Sequence, residues 1–191
     1  MTEAISEDDM EWQELVIDGY DRALHEVEAA LEGLTRKDLD QQPDPNCNTI
    51  GWTVWHLVRG QDSQIAALAG KEQLWIADRW HEKFGRPANA ADTGYGDTPE
   101  AVRAFRSPDA GTHLAYFRAT IDQSKRYISI LKSHDLDRNV HEPWFPPRPT
   151  LGGQVVSVMA DALVHAGEID YLRGLLTAMG KLEARDKQTI P

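Results

Sequence analysis

An aspartate and a histidine stand four residues apart in the segment VSVMADALVHAGEIDYLRGLL, as Asp161 and His165. Residues at this spacing project from the same side of an α-helix. At about 100° per residue, both share one stripe with the apolar residues Val158, Ile169, Leu172, Leu176 and Met179. An ionised carboxylate facing an apolar interior needs a charged partner, a metal ion or a water-filled cavity. The spacing therefore indicates either a metal site or a local hydrogen-bonded pair.

A second histidine, His56, lies on a different predicted helix and could complete a set of three donors. Two imidazoles and one carboxylate suit Zn²⁺, and Ni, Fe or Mn are compatible with the same set. Three protein ligands leave a position open for water or substrate, as in a catalytic metal site. The competing interpretation of each histidine is an ordinary core residue bonded to backbone or to a carboxylate.

Three neighbouring polar residues also have two interpretations each. Glu168 lies at the edge of the same stripe, and it either orients a ligand or forms a solvated flank of the helix. His141 and Glu142, in HEPWFP, either reach the site from a loop or belong to a proline-rich surface segment.

Four amphipathic segments position these side chains, at about 8–31, 50–68, 108–131 and 154–179. Apolar residues recur there at intervals of three and four, and glycines follow the first, second and fourth segments as stop signals. Asn48 or Thr49 is the expected cap of the second helix, and Ser107-Pro108 leads into the third with the proline in its first turn. Strand signals are weak throughout. We therefore predict an all-α fold, an up-down-type four-helix bundle.

A long excursion from Lys71 to Ser107 separates the second and third predicted helices. Within it, TPEAVRAF predicts a short helix capped by Thr98. We expect the excursion to pack against the bundle because of its aromatic residues Trp75, Trp80, Phe84 and Tyr95.

The second predicted helix has two faces that could turn inward. One carries Val54, Leu57, Val58, Ile65 and Leu68. The other carries Trp52, His56, Arg59 and Ser63. If the first face packs into the core, His56 lines a cleft, whereas if the second does, His56 is interior. The sequence leaves both arrangements open.

Composition limits the class of protein. The chain has 191 residues, 41% hydrophobic and 27% charged, which suits one well-buried domain spanning residues 1–191. A net charge of -11 without a basic cluster argues against nucleic acid as a partner. One cysteine, Cys47, excludes an intramolecular disulfide and a cysteine-rich zinc site. Neither a signal peptide nor a membrane-spanning run is visible, so we expect a cytoplasmic protein without membrane partners.

Two segments resemble the DinB-like superfamily. NTIGWTVWHLVRG resembles its second-helix segment, and VHAGEIDYLRGLL resembles its fourth-helix segment, which has a ligand four residues upstream of the histidine. The resemblance implies a four-helix bundle that holds a divalent metal ion at one end through His56, Asp161 and His165. The middle ligand is most often histidine in the family, and glutamate in its mycothiol-dependent maleylpyruvate isomerase branch. Aspartate departs from both, as an anionic donor one methylene shorter than glutamate.

The resemblance further implies a low-molecular-weight thiol, such as mycothiol or bacillithiol, whose sulfur docks on the metal and attacks a small electrophile. Metal coordination lowers a thiol pKa enough to form the nucleophile at neutral pH. Arg59 either holds an anionic group of the substrate or forms a surface salt bridge. The alternatives to a thiol S-transferase or isomerase are a metal-dependent hydrolase and a non-catalytic, stress-associated metal- or ligand-binding bundle. A homodimer is also compatible with the exposed apolar faces of such bundles.

Overall fold

The computed structural model describes residues 10–140 and 150–184. The α-helices of this part are α1 Trp12–Leu31, α2 Arg36–Leu39, α3 Ile50–Ala69, α4 Leu74–Ala77, α5 Trp80–Lys83, α6 Pro99–Ala104, α7 Ala110–Ile130 and α8 Leu151–Ala178. A 3-10 helix, Ser133–Asp137, lies between α7 and α8, and these described residues form no strand beyond one isolated bridge. None of the helices described is both long and apolar enough to cross a membrane. The predicted all-α fold is confirmed.

Side-chain caps decide where three of the long helices begin. Thr49, Asp109 and Thr150 each accept a hydrogen bond from a backbone N–H in the first turn of α3, α7 and α8, respectively. Thr49 is one of the two predicted caps. The predicted entry to α7 was wrong in detail, because Asp109 supplies the acceptor and Pro108 precedes the helix. α8 begins earlier than predicted because Thr150 caps it, and the predicted start of the first helix, near residue 8, lies outside the described residues.

The four long helices form the predicted bundle, in which α1 and α3 each pack against both α7 and α8. Each helix turns an apolar stripe toward the others, as its sequence period of three and four requires. The buried side chains between them include Tyr20 and Val27 of α1, Leu57 and Ile65 of α3, Phe117 and Ile121 of α7, and Val158 and Ile169 of α8. Burial of each large apolar side chain contributes about 1.5–3 kcal/mol, so this core is the main source of stability.

The excursion between α3 and α7 packs against the outer side of α3, as predicted. Trp75 and Phe105 pack on Trp55 of α3, with ring centroids 6.3 and 5.2 Å from it. Trp80 and Phe84 are buried as well, against Tyr116 of α7. Tyr95 is the exception, because it is 82% exposed. The short helix α6 has the expected Thr98 cap.

Both faces of α3 are therefore buried, one by the bundle and the other by the excursion. The second face carries a buried ion pair, Arg59 with Asp62, neither of which has any exposed surface. Asp62 accepts hydrogen bonds from the Leu74 and Trp75 amides and from the Tyr116 hydroxyl, which ties the excursion and α7 to α3. Burial first, and then the charge of Asp62, raise the pKa of Tyr116 well above its ordinary value, so this hydroxyl remains a donor.

Candidate metal centre

His56 of α3 and His165 of α8 meet where these two helices pack together. Their ring centroids are 5.1 Å apart, and the planes lie edge to face at 77°. Asp161, one turn before His165, faces Gly60 of α3, where a Cβ would lie 3.9 Å from its Oδ2. The structure thus brings the three residues singled out from the sequence to one place, with the Asp161 carboxylate beside the backbone of α3 at Gly60.

The ring of His56 is held on one edge and one face. Its Nδ1 lies 2.6 Å from the carbonyl oxygen of Thr93. A carbonyl can only accept, so Nδ1 carries a proton, and in the neutral ring Nε2 then has the lone pair. Trp52 stacks on the imidazole, with centroids 4.9 Å apart and 12° between the planes. The Trp52 indole N–H donates in turn to Asp97 at 3.0 Å, which fixes the stack.

The ring of His165 is oriented in the same sense by a side chain of its own helix. Its Nδ1 lies 2.6 Å from Oε2 of Glu168, and a carboxylate is again an acceptor. Nε2 therefore points the other way, with Oδ1 of Asp161 at 3.6 Å. This distance is too long for a hydrogen bond. A lone pair and a carboxylate facing each other repel, and a proton or a metal cation between them removes the repulsion.

The imidazoles and the carboxylate are donors of the kind that metal ions bind. The distance between His165 and Asp161 also suits two ligands of one ion. Two ligand atoms that each lie about 2.1 Å from a tetrahedral ion are about 3.4 Å apart, and His165 Nε2 and Asp161 Oδ1 are 3.6 Å apart. Within residues 10–140 and 150–184, no group of three His, Cys, Asp or Glu side chains is arranged so that it could hold a metal ion as it stands. The three-ligand assignment therefore stays a prediction, and the short aspartate reaches the vicinity of His165.

Asp161 lies at an exposed edge of α8, and its predicted place on the core stripe was wrong. Its side chain is 48% exposed, against 16% for His165. The buried stripe of α8 consists of Leu151, Gln154, Val155, Val158, Ala162, Ala166, Ile169, Arg173 and Leu176. The prediction accepted residues within about 40° of His165 around the helix axis, and so wide a range includes the edge of a buried stripe as well as its centre. The carboxylate is partly hydrated, so its presence does not require a metal.

Comparison with known proteins identifies the family. The sequence profile of the DinB superfamily matches residues 20–169. The chain belongs to the DinB superfamily. The fold of this DinB-superfamily bundle is similar to that in "Crystal structure of the conserved protein of locus from Enterococcus faecalis", with a TM-score of 0.81 and 28% sequence identity, over 89% of this chain and 99% of that chain. No curated protein matches the chain.

Arg59 occupies an unexpected position in this DinB-superfamily bundle. It has no exposed surface, so the alternative of a surface salt bridge was wrong, and its ion pair with Asp62 is buried. All five guanidinium N–H donors have protein acceptors. These acceptors are the Asp62 carboxylate, the Tyr116 hydroxyl, the Gln73 side-chain oxygen and the carbonyls of Ala90 and Asp92. A contact with an anionic substrate group stays a prediction.

Sequence reasoning missed the two groups that orient His56. The Thr93 acceptor is a backbone carbonyl in a loop, which no side-chain motif reveals. Trp52 precedes His56 by one turn, and that spacing is a signal that could have been used. Glu168 contacts Nδ1 of His165 and is also half exposed on the flank of α8, so both of its interpretations stay open. His141 and Glu142 lie outside the described residues.

Proposed function

We propose that this DinB-superfamily protein binds a divalent metal ion, preferably zinc, through His56, Asp161 and His165. The observation that carries the proposal is the matched orientation of the two imidazoles. Each Nδ1 is engaged by an acceptor, Thr93 O at 2.6 Å and Glu168 Oε2 at 2.6 Å, so both rings keep Nε2 as the ligand atom. Histidine ligands of metal ions are oriented by acceptors of this kind.

The three ligands would have unequal freedom. His56 sits on a helix that is buried on both faces, and its ring is stacked on Trp52, so its position is set before any ion arrives. Asp161 is half exposed, so its rotamer can change at little cost and bring the carboxylate to the ion. The same exposure leaves one side of the site open to solvent and to small molecules. The ion would therefore bind to two preset nitrogens and one adjustable oxygen.

We further propose that the protein is a thiol S-transferase or isomerase that uses a low-molecular-weight thiol of the mycothiol or bacillithiol type. A bound divalent cation supplies one thing here, a lowered thiol pKa. In transfer, the sulfur forms a bond to an electrophilic carbon, the leaving group departs with the electron pair of the broken bond, and the thiol proton passes to solvent. In isomerisation, the thiol adds and is later eliminated unchanged. The expected cytoplasmic location stays a prediction.

Elemental analysis of the purified protein tests the metal site. We expect stoichiometric zinc or another divalent metal in the unmodified chain, and its loss in His56→Ala and in Asp161→Ala. His134→Ala is the matched control, because the His134 side chain is 83% exposed and lies outside this site. An Asp161→Ala protein that keeps the same metal content would remove Asp161 from the ligand set.

Activity measurements on the metal-loaded protein separate the three functional classes. Consumption of an electrophile that depends on added thiol and disappears in His56→Ala supports transfer. Turnover without added thiol would instead show the hydrolase, in which water replaces the thiol. Metal binding with no turnover toward a panel of electrophiles and esters would show the non-catalytic bundle.

A further inference from the structure

The loop whose carbonyl lies against the His56 ring is also bound by a second residue of α3. Thr93, whose carbonyl lies 2.6 Å from His56 Nδ1, belongs to the loop between α5 and α6. Two other carbonyls of that loop, at Ala90 and Asp92, accept hydrogen bonds from Arg59 at 3.0 Å each. His56 and Arg59 are three residues apart, on the same side of α3. One face of α3 thus contacts three backbone carbonyls within four consecutive loop residues.

Arg59 is well suited to fix these carbonyls because its side chain is enclosed on every side. Its side chain is fully buried and its guanidinium lies 4.7 Å from the centre of the Trp75 ring. The donors not used for the loop bind Asp62, Tyr116 and Gln73. The planar guanidinium offers donors in a fixed fork, which lysine cannot reproduce.

Two further contacts fasten the same loop. Arg86 forms a two-pronged ion pair with Asp92, from Nε to Oδ2 and from Nη2 to Oδ1, and lies 4.5 Å from the centre of the Trp55 ring. Gly94 has a φ of +82°, and a Cβ there would lie 2.8 Å from Trp55 and 3.2 Å from His56 Nδ1. Position 94 therefore admits only glycine without a shift of the loop or the rings. The close approach of this backbone brings the Thr93 carbonyl to the imidazole.

We propose that Arg59 is a positioning residue that fixes the tautomer of His56. Through the Ala90 and Asp92 carbonyls it holds the Thr93 carbonyl on Nδ1, and so keeps the lone pair on Nε2. Without this anchor, the neutral ring would exchange its proton between the two nitrogens, and a fraction of the molecules would present an N–H where a ligand atom is needed. The expected effect on metal binding rests on the metal site proposed above. The tautomer itself is a property of the metal-free protein and can be measured without metal.

Ring ¹⁵N chemical shifts of His56 in the metal-free protein at pH 8 test the proposal directly. We expect the unmodified chain to show one tautomer, with the proton on Nδ1. Arg59→Lys keeps the positive charge but removes the planar set of guanidinium donors. Gly94→Ala displaces the loop and leaves Arg59 unchanged. Both should give averaged shifts that report a mixture of tautomers. Zinc affinity, measured by competition with a chelator, should fall about 10–100-fold in both.

Arg173→Lys is the matched control for the loss of a buried guanidinium. Arg173 of α8 donates to the carbonyls of Ala30 and Glu32 at the end of α1, where it makes the same kind of contact away from His56. The control should keep the single His56 tautomer. Retention of that tautomer in Arg59→Lys, or its equal loss in Arg173→Lys, would overturn the proposal. If the unmodified chain binds no zinc, the proposed function fails, while the ¹⁵N shifts still decide the role of Arg59.

Discussion

Glu168 and His165 form a hydrogen-bonded pair on α8, with 2.6 Å between Oε2 and Nδ1. The pair fixes which nitrogen of His165 can act as a ligand, and the negative charge makes that nitrogen a stronger donor to a cation. We therefore predict that Glu168→Gln lowers zinc affinity about 10–100-fold, because an amide is a weaker acceptor without charge. Competition titration with a chromogenic chelator measures the change.

The control for this substitution is Glu26→Gln, which makes the same chemical change on an exposed position of α1. It should leave zinc affinity unchanged. Equal affinities of the Glu168→Gln and unmodified proteins would show that the pair is only a local ion pair on the helix surface.

The Arg59–Asp62 pair predicts a large loss of stability when one partner is removed. Asp62→Ala leaves a fully buried guanidinium charge without its carboxylate and removes the acceptor of the Leu74 and Trp75 amides. Breaking a buried pair in this way costs about 3–5 kcal/mol. Urea unfolding monitored by tryptophan fluorescence measures the free energy of unfolding.

Asp18→Ala provides the comparison, since it breaks the exposed i,i+4 pair with Arg22 on α1. Exposed pairs contribute little, so we expect its unfolding midpoint to stay close to that of the unmodified protein. An Asp62→Ala protein as stable as Asp18→Ala would contradict the structural role given to the buried pair.

His113 predicts a dependence of stability on pH. The ring is fully buried against Phe84, and burial lowers its pKa to about 3, opposed only in part by the charge of Asp109. Between that value and its ordinary pKa of 6.5, the unfolded chain binds a proton that the folded chain does not. Stability therefore falls as the pH falls through this window, by about 1.4 kcal/mol per pH unit from this residue.

Comparison of the unmodified protein with His113→Leu isolates this contribution from the titration of the carboxylates. The free energy of unfolding of both should be measured between pH 7.5 and 4.5. The two curves should diverge below pH 6.5, with the unmodified protein losing stability more steeply. Parallel curves over the whole range would mean that His113 finds a partner for its proton in the folded state.

A homodimer stays a prediction from the sequence, and α8 shows where to test it. The side of α8 opposite its buried stripe carries exposed apolar residues, among them Val156, Val164 and Tyr171. A helix that is apolar on both sides is unusual at a protein surface. If the chain dimerises through this side, Val164→Lys lowers the dimer fraction in sedimentation velocity, whereas Ser129→Lys on the exposed part of α7 does not.

The four long helices were predictable because each has a regular apolar period, and three of them have side-chain caps. α3 was predicted over 50–68 and runs from Ile50 to Ala69. The four-residue helices α2, α4 and α5 were not predicted, since so short a segment has no period to detect.

The proximity of His56 and His165 was predictable from the sequence, but the surroundings of the two rings were not. The pairing of His56 with His165 followed from the two family segments. Periodicity placed Asp161 in the core, where the structure exposes it, because an edge position and a central one differ by a small rotation of the helix. The burial of Arg59 was not predictable, because it depends on loop carbonyls that a sequence pattern does not encode.

The burial of α3 on both faces has a consequence for the dynamics of the site. Amide protons exchange with solvent only when their hydrogen bonds open, and the most enclosed elements open least often. The backbone of α3 should therefore exchange more slowly than that of α1 or α8, which keep one side in solvent. The helix that carries His56 would then stay fixed when a ligand binds. Any local movement that admits the ligand would occur in α8, which carries the half-exposed Asp161.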